Sequence, residues 1–447
     1  MTTTPTTARC TTALALALLL AASSVRAQEV RTITLDEAIA LARMQAVTVR
    51  QAATGVAERE AAVAEARGRF YPALSVYTAG AQNYGLSFDE TAGQLTQQRT
   101  EAVQIGAQAE WSVYDGGARR AGLATARADL SASEYGRERT AQTAVNDVFR
   151  QFYEVVAAQA EARIAQANVE AHRQQLALVD ATIAAGVRPR VERLQQDERL
   201  AEAELVVLQA ERAERAAGLR LIRLLALDPA GRYQFVPPPG PSPADPAGVD
   251  AESLVAAALE RRLDLRAQEA TVAAAEADVQ AARAAGRPSV GLVFGYGTSF
   301  TTGAEGAFTS QFGSNRGGAL GIRVGFPVFD RGVTRSRVGA ASARLERARL
   351  DAEDARRGAA TDVREAVLEL DLLVGEVRVA ERRLAAARTS LDAETERYRL
   401  GATTLAALAE VRARTVAAEV GLERSRAAVA FQRALIDYRS GAASPGG

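Results

Sequence analysis

Few side chains in this sequence of 447 residues have the type and spacing that catalysis requires. The single histidine, His172, falls on one face of a predicted helix, where a solvated or interhelical role is expected rather than proton transfer. The sequence contains no nucleophile motif, no glycine-rich phosphate loop and no cluster of metal-ligating residues. We therefore predict that the protein is not an enzyme and uses neither a cofactor nor a metal ion.

The single cysteine, Cys10, lies in a segment typical of a secretory leader. Arg9 gives this segment a positive start, an apolar stretch covers residues 13–22, and small residues surround Ala27. We predict that residues 1–27 are a signal peptide cleaved after Ala27, which leaves the exported chain without a thiol. Because Cys10 precedes the apolar stretch, no lipid anchor is expected.

The charge of the chain is balanced, with 54 acidic and 54 basic residues, and every basic residue is arginine. A net charge of zero gives no electrostatic reason to expect nucleic acid as a partner. After the leader, no apolar run is long enough to span a bilayer, so no transmembrane helix is predicted.

The chain contains an internal duplication, because residues of the second half match residues of the first half at a nearly constant offset. The coinciding pairs include Pro72 and Pro288, Asp115 and Asp330, Gly117 and Gly332, and Gly186 and Gly401. Neither copy can bury its hydrophobic faces alone, so the repeat predicts an assembly. We assign the ranges 28–227 (first repeat), 228–250 (proline-rich linker), 251–440 (second repeat) and 441–447 (disordered tail).

Each repeat contains a pair of segments in which apolar residues alternate with polar or small ones, at 73–114 and 289–329. This alternation predicts β-strands with two different faces. Between the strands of the first pair we expect a polar loop at 89–100, and a glycine-rich loop separates the second pair. Four residues on the polar faces are predicted to face a lumen: Gln104, Gln108, Glu110 and Arg323.

Long helices surround these strand pairs. A first helix is predicted over residues 33–68, and two much longer stretches, about 118–185 and 333–400, are rich in the best helix formers. An unbroken helix of that size is on the order of 100 Å long. Each ends at a glycine, Gly186 or Gly401, after which a second helix runs back. The sequence thus predicts two helical hairpins with coiled-coil character.

Prolines, glycines and aspartates mark the predicted strand–helix junctions. Proline and glycine allow the chain to leave one regular structure for another, and an aspartate before a helix is a natural N-cap. The junction residues are Pro72, Asp115, Gly117, Pro288, Pro327, Asp330 and Gly332.

Four strands per chain cannot close a membrane β-barrel, which needs eight or more. Two chains supply eight strands and three supply twelve. Closure removes the exposed strand edges, which is obligatory in lipid. The polar strand faces would then line a lumen.

The order and spacing of these features resemble the TolC family of outer membrane efflux proteins, over roughly residues 33–440. Four motifs carry the resemblance, at 34–41, 261–266, 326–332 and 397–402. It implies a homotrimer whose twelve-stranded β-barrel crosses the outer membrane, in contact with its lipid, and continues as a long periplasmic α-helical coiled-coil barrel. It also implies that the hairpin tips dock to a periplasmic adaptor (membrane fusion) protein and to an inner-membrane transporter of the RND or ABC type.

The resemblance also singles out tip and gate residues: Gly186, Glu192, Tyr398, Gly401, Thr403 and Glu410. Acidic residues often follow the second tip glycine in the family, and here Glu410 occupies one such position while Ala407 occupies the other. In a trimer, Glu410 would form a ring of three carboxylates that favours cations. The alternative is a solvated charge paired with Arg414.

Tyr398 matches a tip tyrosine that bonds across hairpins, and Glu192 occupies the equivalent acidic place in the first hairpin. Thr403 stands where a basic partner is common in the family, and Pro189 is unusual at the tip. We therefore predict a weakly latched gate.

Two classes of function remain open. The first is a passive trimeric exit duct, either for small toxic molecules driven by an inner-membrane transporter or, as in type I secretion, for polypeptides. The second is a soluble periplasmic coiled-coil adaptor or spacer. The alternating strand pairs favour the duct, because a spacer has no need of amphipathic β-ribbons.

Overall fold

A computed structural model describes residues 30–89, 93–237, 250–302 and 307–442. The predicted signal peptide (1–27), the larger part of the predicted linker (238–249) and most of the predicted tail (443–447) lie outside the described residues.

Strands and helices alternate in the order expected for a duplicated chain. They are β1 (Arg31–Ile33), α1 (Leu35–Gln45), α2 (Val47–Gly68), β2 (Ala73–Asp89), β3 (Gln94–Tyr114), α3 (Ala118–Ala184), α4 (Val191–Leu224), β4 (Tyr233–Phe235), α5 (Ala251–Arg261), α6 (Leu263–Ala284), β5 (Ser289–Thr301), α7 (Phe308–Ser314), β6 (Gly317–Gly325), α8 (Val333–Arg399) and α9 (Leu405–Arg439). The two 67-residue helices, α3 and α8, confirm the predicted long helices.

The chain divides into two compact units. A helical unit comprises Met1–Gln51, Thr140–Arg261 and Ala359–Gly447, and a sheet unit comprises Ala52–Arg139 and Arg262–Gly358. Both long helices contribute to both units.

The helix predicted over residues 33–68 is in fact two helices, α1 and α2, separated by Ala46, whose ψ of 130° is not helical. The first of them begins at Leu35 rather than at residue 33, because Ile33 belongs to β1, and it is capped by Thr34, whose hydroxyl accepts a hydrogen bond from the backbone N–H of Glu37. The second repeat has the same break between α5 and α6, at Arg262 (ψ 123°), the residue that coincides with Ala46 in the duplication. Neither break contains the proline or glycine that would reveal it in a sequence.

The sheet unit holds one antiparallel sheet with the strand order β2-β3-β5-β6. Its pairing register places residues of the same predicted face, apolar or polar, side by side on neighbouring strands. Val76, Ala107 and Tyr296 are direct neighbours on the apolar face. On the other face, Gln108 lies between Ser75 and Gly295. The alternation read from each strand therefore continues across all four.

The strand boundaries differ from the predictions in three places. The predicted polar loop at 89–100 is mostly strand, because Gln94 pairs with Asp89 and the ladder continues from there. The second strand pair ends at Gly325 rather than at residue 329, since Pro327 has no N–H to donate to a ladder. The predicted glycine-rich loop contains a short helix, α7.

The helical unit contains the largest buried cluster of apolar side chains. Phe152 is fully buried at its centre, and its ring meets that of Phe235 edge-on, with 6.2 Å between centroids. Phe235 belongs to β4, which lies within the predicted linker and pairs in parallel with β1. The described start of the linker is thus part of a core, which its proline-rich composition did not predict.

Candidate functional site

Both predicted hairpin tips begin with the same turn. Gly186 and Gly401 have φ values of 72° and 74°, the left-handed conformation that glycine adopts without steric cost. At the second tip, the N–H of Ala402 bonds to the carbonyl of Arg397 and that of Gly401 bonds to Tyr398. These are the bonds of a Schellman motif, which ends a helix and satisfies its last carbonyl groups.

The two tips are joined by a small group of side chains that we call the tip network: Arg188, Glu192 and Tyr398. The Tyr398 hydroxyl donates a hydrogen bond of 2.9 Å to one carboxylate oxygen of Glu192. Arg188 donates to the other oxygen, at 3.2 Å, and to the backbone carbonyl of Tyr398, at 2.7 Å. Its guanidinium also lies 4.3 Å from the centre of the Tyr398 ring. The network therefore connects the first hairpin to the second.

Arg188 is the residue that the sequence analysis missed. Thr403 occupies the place where a basic partner is common in the family, and at this tip Arg188 of the first hairpin brings a basic group to Glu192 and Tyr398. Thr403 instead bonds to Glu394, whose other oxygen accepts a hydrogen bond of 3.0 Å from Arg397. The available signal was the i,i+4 spacing of Arg188 and Glu192, which favours ion pairs on helices and turns.

The hydroxyl of Tyr398 keeps its proton over the whole physiological range. Burial is the largest cause, and the adjacent Glu192 carboxylate adds to it, so that the pKa of Tyr398 rises to about 12. Tyr398 is therefore always able to donate its hydrogen bond to Glu192.

Glu410 is paired with Arg414, as the alternative to a ring of carboxylates predicted. Its carboxylate forms an ion pair with Arg414, and both side chains are exposed. Exposed pairs of this kind contribute little to stability. Within one chain, the geometry supports the paired alternative.

A buried polar pair lies within the first hairpin, where His172 of α3 meets Gln196 of α4. The side-chain amide of Gln196 donates to the ring Nδ1 of His172 at 3.1 Å and to its backbone carbonyl at 3.0 Å. Burial first, and then the charges of Arg412 and Arg199, lower the pKa of His172 to about 4. The imidazole is therefore neutral at pH 7, as its role of hydrogen-bond acceptor requires.

Because the folded state disfavours protonated His172, stability is expected to fall as the pH drops from 6.5 towards 4. Between these values the unfolded chain binds the proton and the folded chain does not. The contribution lost is about 2 kcal/mol once solvent screening is allowed for. The measurement is the unfolding temperature of the detergent-solubilised protein across this range. His172→Gln should show a shallower slope, and an equal slope in both proteins would contradict the assignment.

The four residues predicted to face a lumen share one face of the sheet. Gln104, Gln108 and Glu110 alternate along β3, and the side-chain amide of Gln108 donates to Glu110. The register from Arg323 through Gly291 to Ser112 places Arg323 on this same face. The opposite face presents exposed apolar side chains, among them Leu74, Val76, Leu320, Ile322 and Val324.

The predicted junction residues lie at the ends of strands and helices in the sheet unit. Asp115 accepts hydrogen bonds from the backbone N–H groups of Gly117 (3.1 Å) and Arg119 (2.9 Å), and so caps α3. Asp330 makes the equivalent two bonds and caps α8. The prolines Pro72 and Pro288 directly precede β2 and β5, and Pro327 follows β6. Gly332, like Gly117, has a positive φ.

Within the described ranges, no group of three or more His, Cys, Asp or Glu residues is arranged to hold a metal ion. In the same part of the chain, no helix is long and apolar enough to cross a membrane.

Comparison with known proteins matches both repeats separately. Residues 38–227 and 254–436 fit the model of a family described as "Outer membrane efflux protein". The pyoverdine export outer membrane protein OpmQ of Pseudomonas aeruginosa is 29% identical over 346 residues, which are 75% of this chain and 70% of OpmQ.

Solved structures show the same fold at lower sequence identity. A crystal structure of CusC has a TM-score of 0.79 and 19% identity, over 92% of each chain. The CmeC outer membrane channel of Campylobacter jejuni has a TM-score of 0.78 and 17% identity, over 91% of this chain and 85% of that one. The predicted combination of long helices with strand pairs in two repeats is confirmed by these likenesses.

Proposed function

Since this chain belongs to the outer membrane efflux protein family and is an outer membrane efflux channel rather than an enzyme, we propose that it is the passive exit duct of a tripartite efflux system. The duct would be a homotrimer, and its cargo small molecules. The energy would come from an inner-membrane transporter. The observation that carries the proposal is the sheet of the described residues. It has one apolar and one polar face, and its edge strands β2 and β6 each pair with a neighbour on one side only.

The free edges support the trimer. Among the described strands, β2 and β6 each have a neighbour on one side only. Lipid offers no hydrogen bonds to an open strand edge, so β6 of one chain must pair with β2 of another until a ring closes. TolC-like channels form trimers, and three sheets of four strands give a barrel of twelve.

The helical hairpins offer a second surface for another copy of the chain. On α4, the exposed leucines Leu194, Leu205, Leu208 and Leu219 occupy alternate d and a positions of a single heptad register. They form an interrupted apolar stripe, since other a and d positions of the same register carry Glu198, Arg212 and Arg215. Exposed apolar residues at similar spacing lie on α8: Leu368, Leu372 and Val379. Exposed apolar stripes of this kind mark surfaces that another helix can cover.

We place the docking of the adaptor and the transporter at the hairpin tips. The tip turns expose two large apolar side chains, Val187 and Leu400, next to Gly186 and Gly401. An exposed apolar residue at the end of a hairpin is suited to a complementary partner surface. The transporter would be of the RND or ABC type.

The cargo is proposed to be small molecules, on the strength of one relative. OpmQ is named for the export of pyoverdine, and it aligns with three quarters of this chain. The predicted lumen residues Gln104, Gln108, Glu110 and Arg323 would give the barrel a polar passage, as water-filled channels require.

The test is the single-channel conductance of the purified protein in a planar bilayer, together with its mass in detergent. A trimer with a small conductance is the expected result, because the tips would be closed at rest. A species that dissolves without detergent and conducts no ions would overturn the duct and favour the periplasmic adaptor.

Glu410→Ala is expected to leave the conductance of this channel unchanged. Glu410 is exposed and its charge is offset by Arg414, so that salt and the ion pair both weaken its field in a pore. Arg414→Ala is the matched control, because it leaves the carboxylate unpaired. A clear rise in conductance in Glu410→Ala would instead support the predicted ring of three carboxylates.

A further inference from the structure

We propose that exposed arginines at the strand–helix junctions bind the anionic headgroups of phospholipids in the periplasmic leaflet of the outer membrane. We call this set the arginine belt, and its members are Arg67, Arg120, Arg283, Arg287, Arg331, Arg335 and Arg337. The inference rests on the proposed function, because it needs a sheet that crosses a membrane and helices that continue from it.

The charge of the junctions differs from that of the chain as a whole. The ranges 65–72, 113–121, 281–288 and 330–338 together contain nine arginines and three acidic residues, a net charge of plus six in a chain whose net charge is zero. Among the described residues, only Arg69 and Arg119 of these nine form ion pairs. The other seven are the arginine belt, and all of them are exposed. Such a local excess of positive charge attracts an anionic surface.

The stability of the helices does not explain these arginines. Arg120 lies in the first turn of α3, Arg335 lies in the first turn of α8, and Arg337 follows directly. Beyond the capping aspartates, neither helix has an acidic residue in its first turn. The start of a helix carries partial positive charge and disfavours cations. An anion supplied from outside the chain would remove this conflict.

The junctions form one continuous row at one edge of the sheet. The guanidinium of Arg119 in α3 donates to the carbonyl of Arg69, directly after α2, at 3.4 Å. Arg287, directly after α6, donates to the carbonyl of Gly116, just before α3, at 2.9 Å. Strand β5 begins beside the end of β6, which brings the start of α8 to the same edge. The positive charges of both repeats therefore lie side by side.

The level of this row is that of a headgroup layer. Each helical arginine of the belt lies at most four residues from the end of its helix, which is about 6 Å along the helix axis. The headgroup layer of a bilayer is about 5–8 Å deep. The exposed apolar residues Leu74 and Val324 lie at the adjoining strand ends, and the aromatic side chains of Tyr71 and Phe329 are exposed between strand and helix. Aromatic residues favour the same interfacial level.

The belt also has charges that a lumen cannot take up. Arg335 and Arg337 are two positions apart on α8, and therefore about 200° apart around its axis. They cannot both face a lumen. A guanidinium with fixed donors can bind two phosphate oxygens at once, so an arginine on the outer side is suited to a lipid phosphate.

The experiment measures, by native mass spectrometry, the lipid that the purified channel retains in detergent. The channel is incubated with equal amounts of phosphatidylglycerol, which is anionic, and phosphatidylcholine, which has a phosphate but no net charge. A basic residue near an anionic surface strengthens binding about five-fold, so the channel should retain at least about ten-fold more phosphatidylglycerol. This preference should fall several-fold between about 0.1 M and about 1 M salt, because salt screens exposed charges.

Two quadruple variants separate the belt from charge in general. The belt variant should lose most of the preference, and its changes are Arg67→Gln, Arg283→Gln, Arg335→Gln and Arg337→Gln. The matched control removes four exposed arginines from the helical unit and should keep the preference, and its changes are Arg163→Gln, Arg212→Gln, Arg378→Gln and Arg382→Gln. The mass in detergent verifies that each variant assembles. Where the belt variant does not assemble, the salt dependence of the unaltered channel decides.

Three results would overturn the inference. They are equal retention of the two lipids by the unaltered channel, the same preference in the belt variant as in the control, and displacement of the lipid by an equal concentration of inorganic phosphate. The conductance of the same preparation separates this inference from the proposed function. A channel that conducts but shows no lipid preference contradicts the arginine belt alone, whereas a protein that forms no channel contradicts the proposed function first.

Discussion

Gly116→Ala is expected to destabilise the start of α3 by about 3 kcal/mol and to reduce sharply the amount of folded protein in the outer membrane fraction. Gly116 has a φ of 70°, in the left-handed region. An added Cβ would lie 2.7 Å from the carbonyl oxygen of Ala284 and 2.7 Å from the Cβ of Arg287. The backbone cannot move aside without cost, because the Gly116 carbonyl accepts a 2.9 Å hydrogen bond from Arg287.

The duplication provides the control for this prediction. Arg331 occupies the equivalent place in the second repeat, with a φ of 57° and a side chain already present. Arg331→Ala should therefore have little effect on folding. The measurement is the unfolding temperature in detergent of both variants. Arg331→Ala adds no Cβ at its left-handed position, so equal losses in the two variants would contradict the assignment of the cost to the added Cβ at position 116.

Phe152→Ala is expected to have the largest effect, a loss of about 3–5 kcal/mol. Phe152 is fully buried in the main cluster of the helical unit, where it contacts Phe235 edge-on. Removing the ring leaves a cavity among side chains from α1, α3, α4 and β4, which cannot all close around it. The expected outcome is a chain that fails to accumulate or that unfolds at a much lower temperature.

Phe152→Leu serves as the control because it keeps most of the volume and the apolar character of the site. Conservative changes of this kind usually cost less than about 1.5 kcal/mol. The comparison is made by thermal unfolding of the solubilised protein. Similar stability of the alanine and leucine variants would mean that the cluster is less important to the fold than its burial indicates.

The elements that recur in the sequence were predictable in type and place. The long helices α3 and α8 could be found because their helix-forming composition continues without a break, and the strands because their residues alternate. The N-caps Asp115 and Asp330 were found for the same reason, since each cap bonds to backbone N–H groups only a few positions further on. All of these features depend on neighbours in the chain.

The elements that were missed depend on partners distant in the chain. The break at Ala46 contains no breaker residue, and β4 exists because Tyr233–Phe235 meets Arg31–Ile33. Strand β3 begins at Gln94 because this residue pairs with Asp89, although the polar composition of the segment predicts a loop. Local preferences at these places are weak, so the contacts formed on folding decide the structure.

The candidate site divides in the same way. The sequence by itself determined the tip glycines, the two-faced strands and the duplication. The glycines follow from the conformation that single residues must adopt, and the strands and the duplication follow from patterns that repeat along the chain. Only the tertiary structure decided that Arg188 meets Tyr398, since Tyr398 lies in the other repeat, far along the chain. A pattern within one hairpin carries no information about which side chain of the other hairpin it will face. The chemistry of the tip therefore arises when the two hairpins pack together.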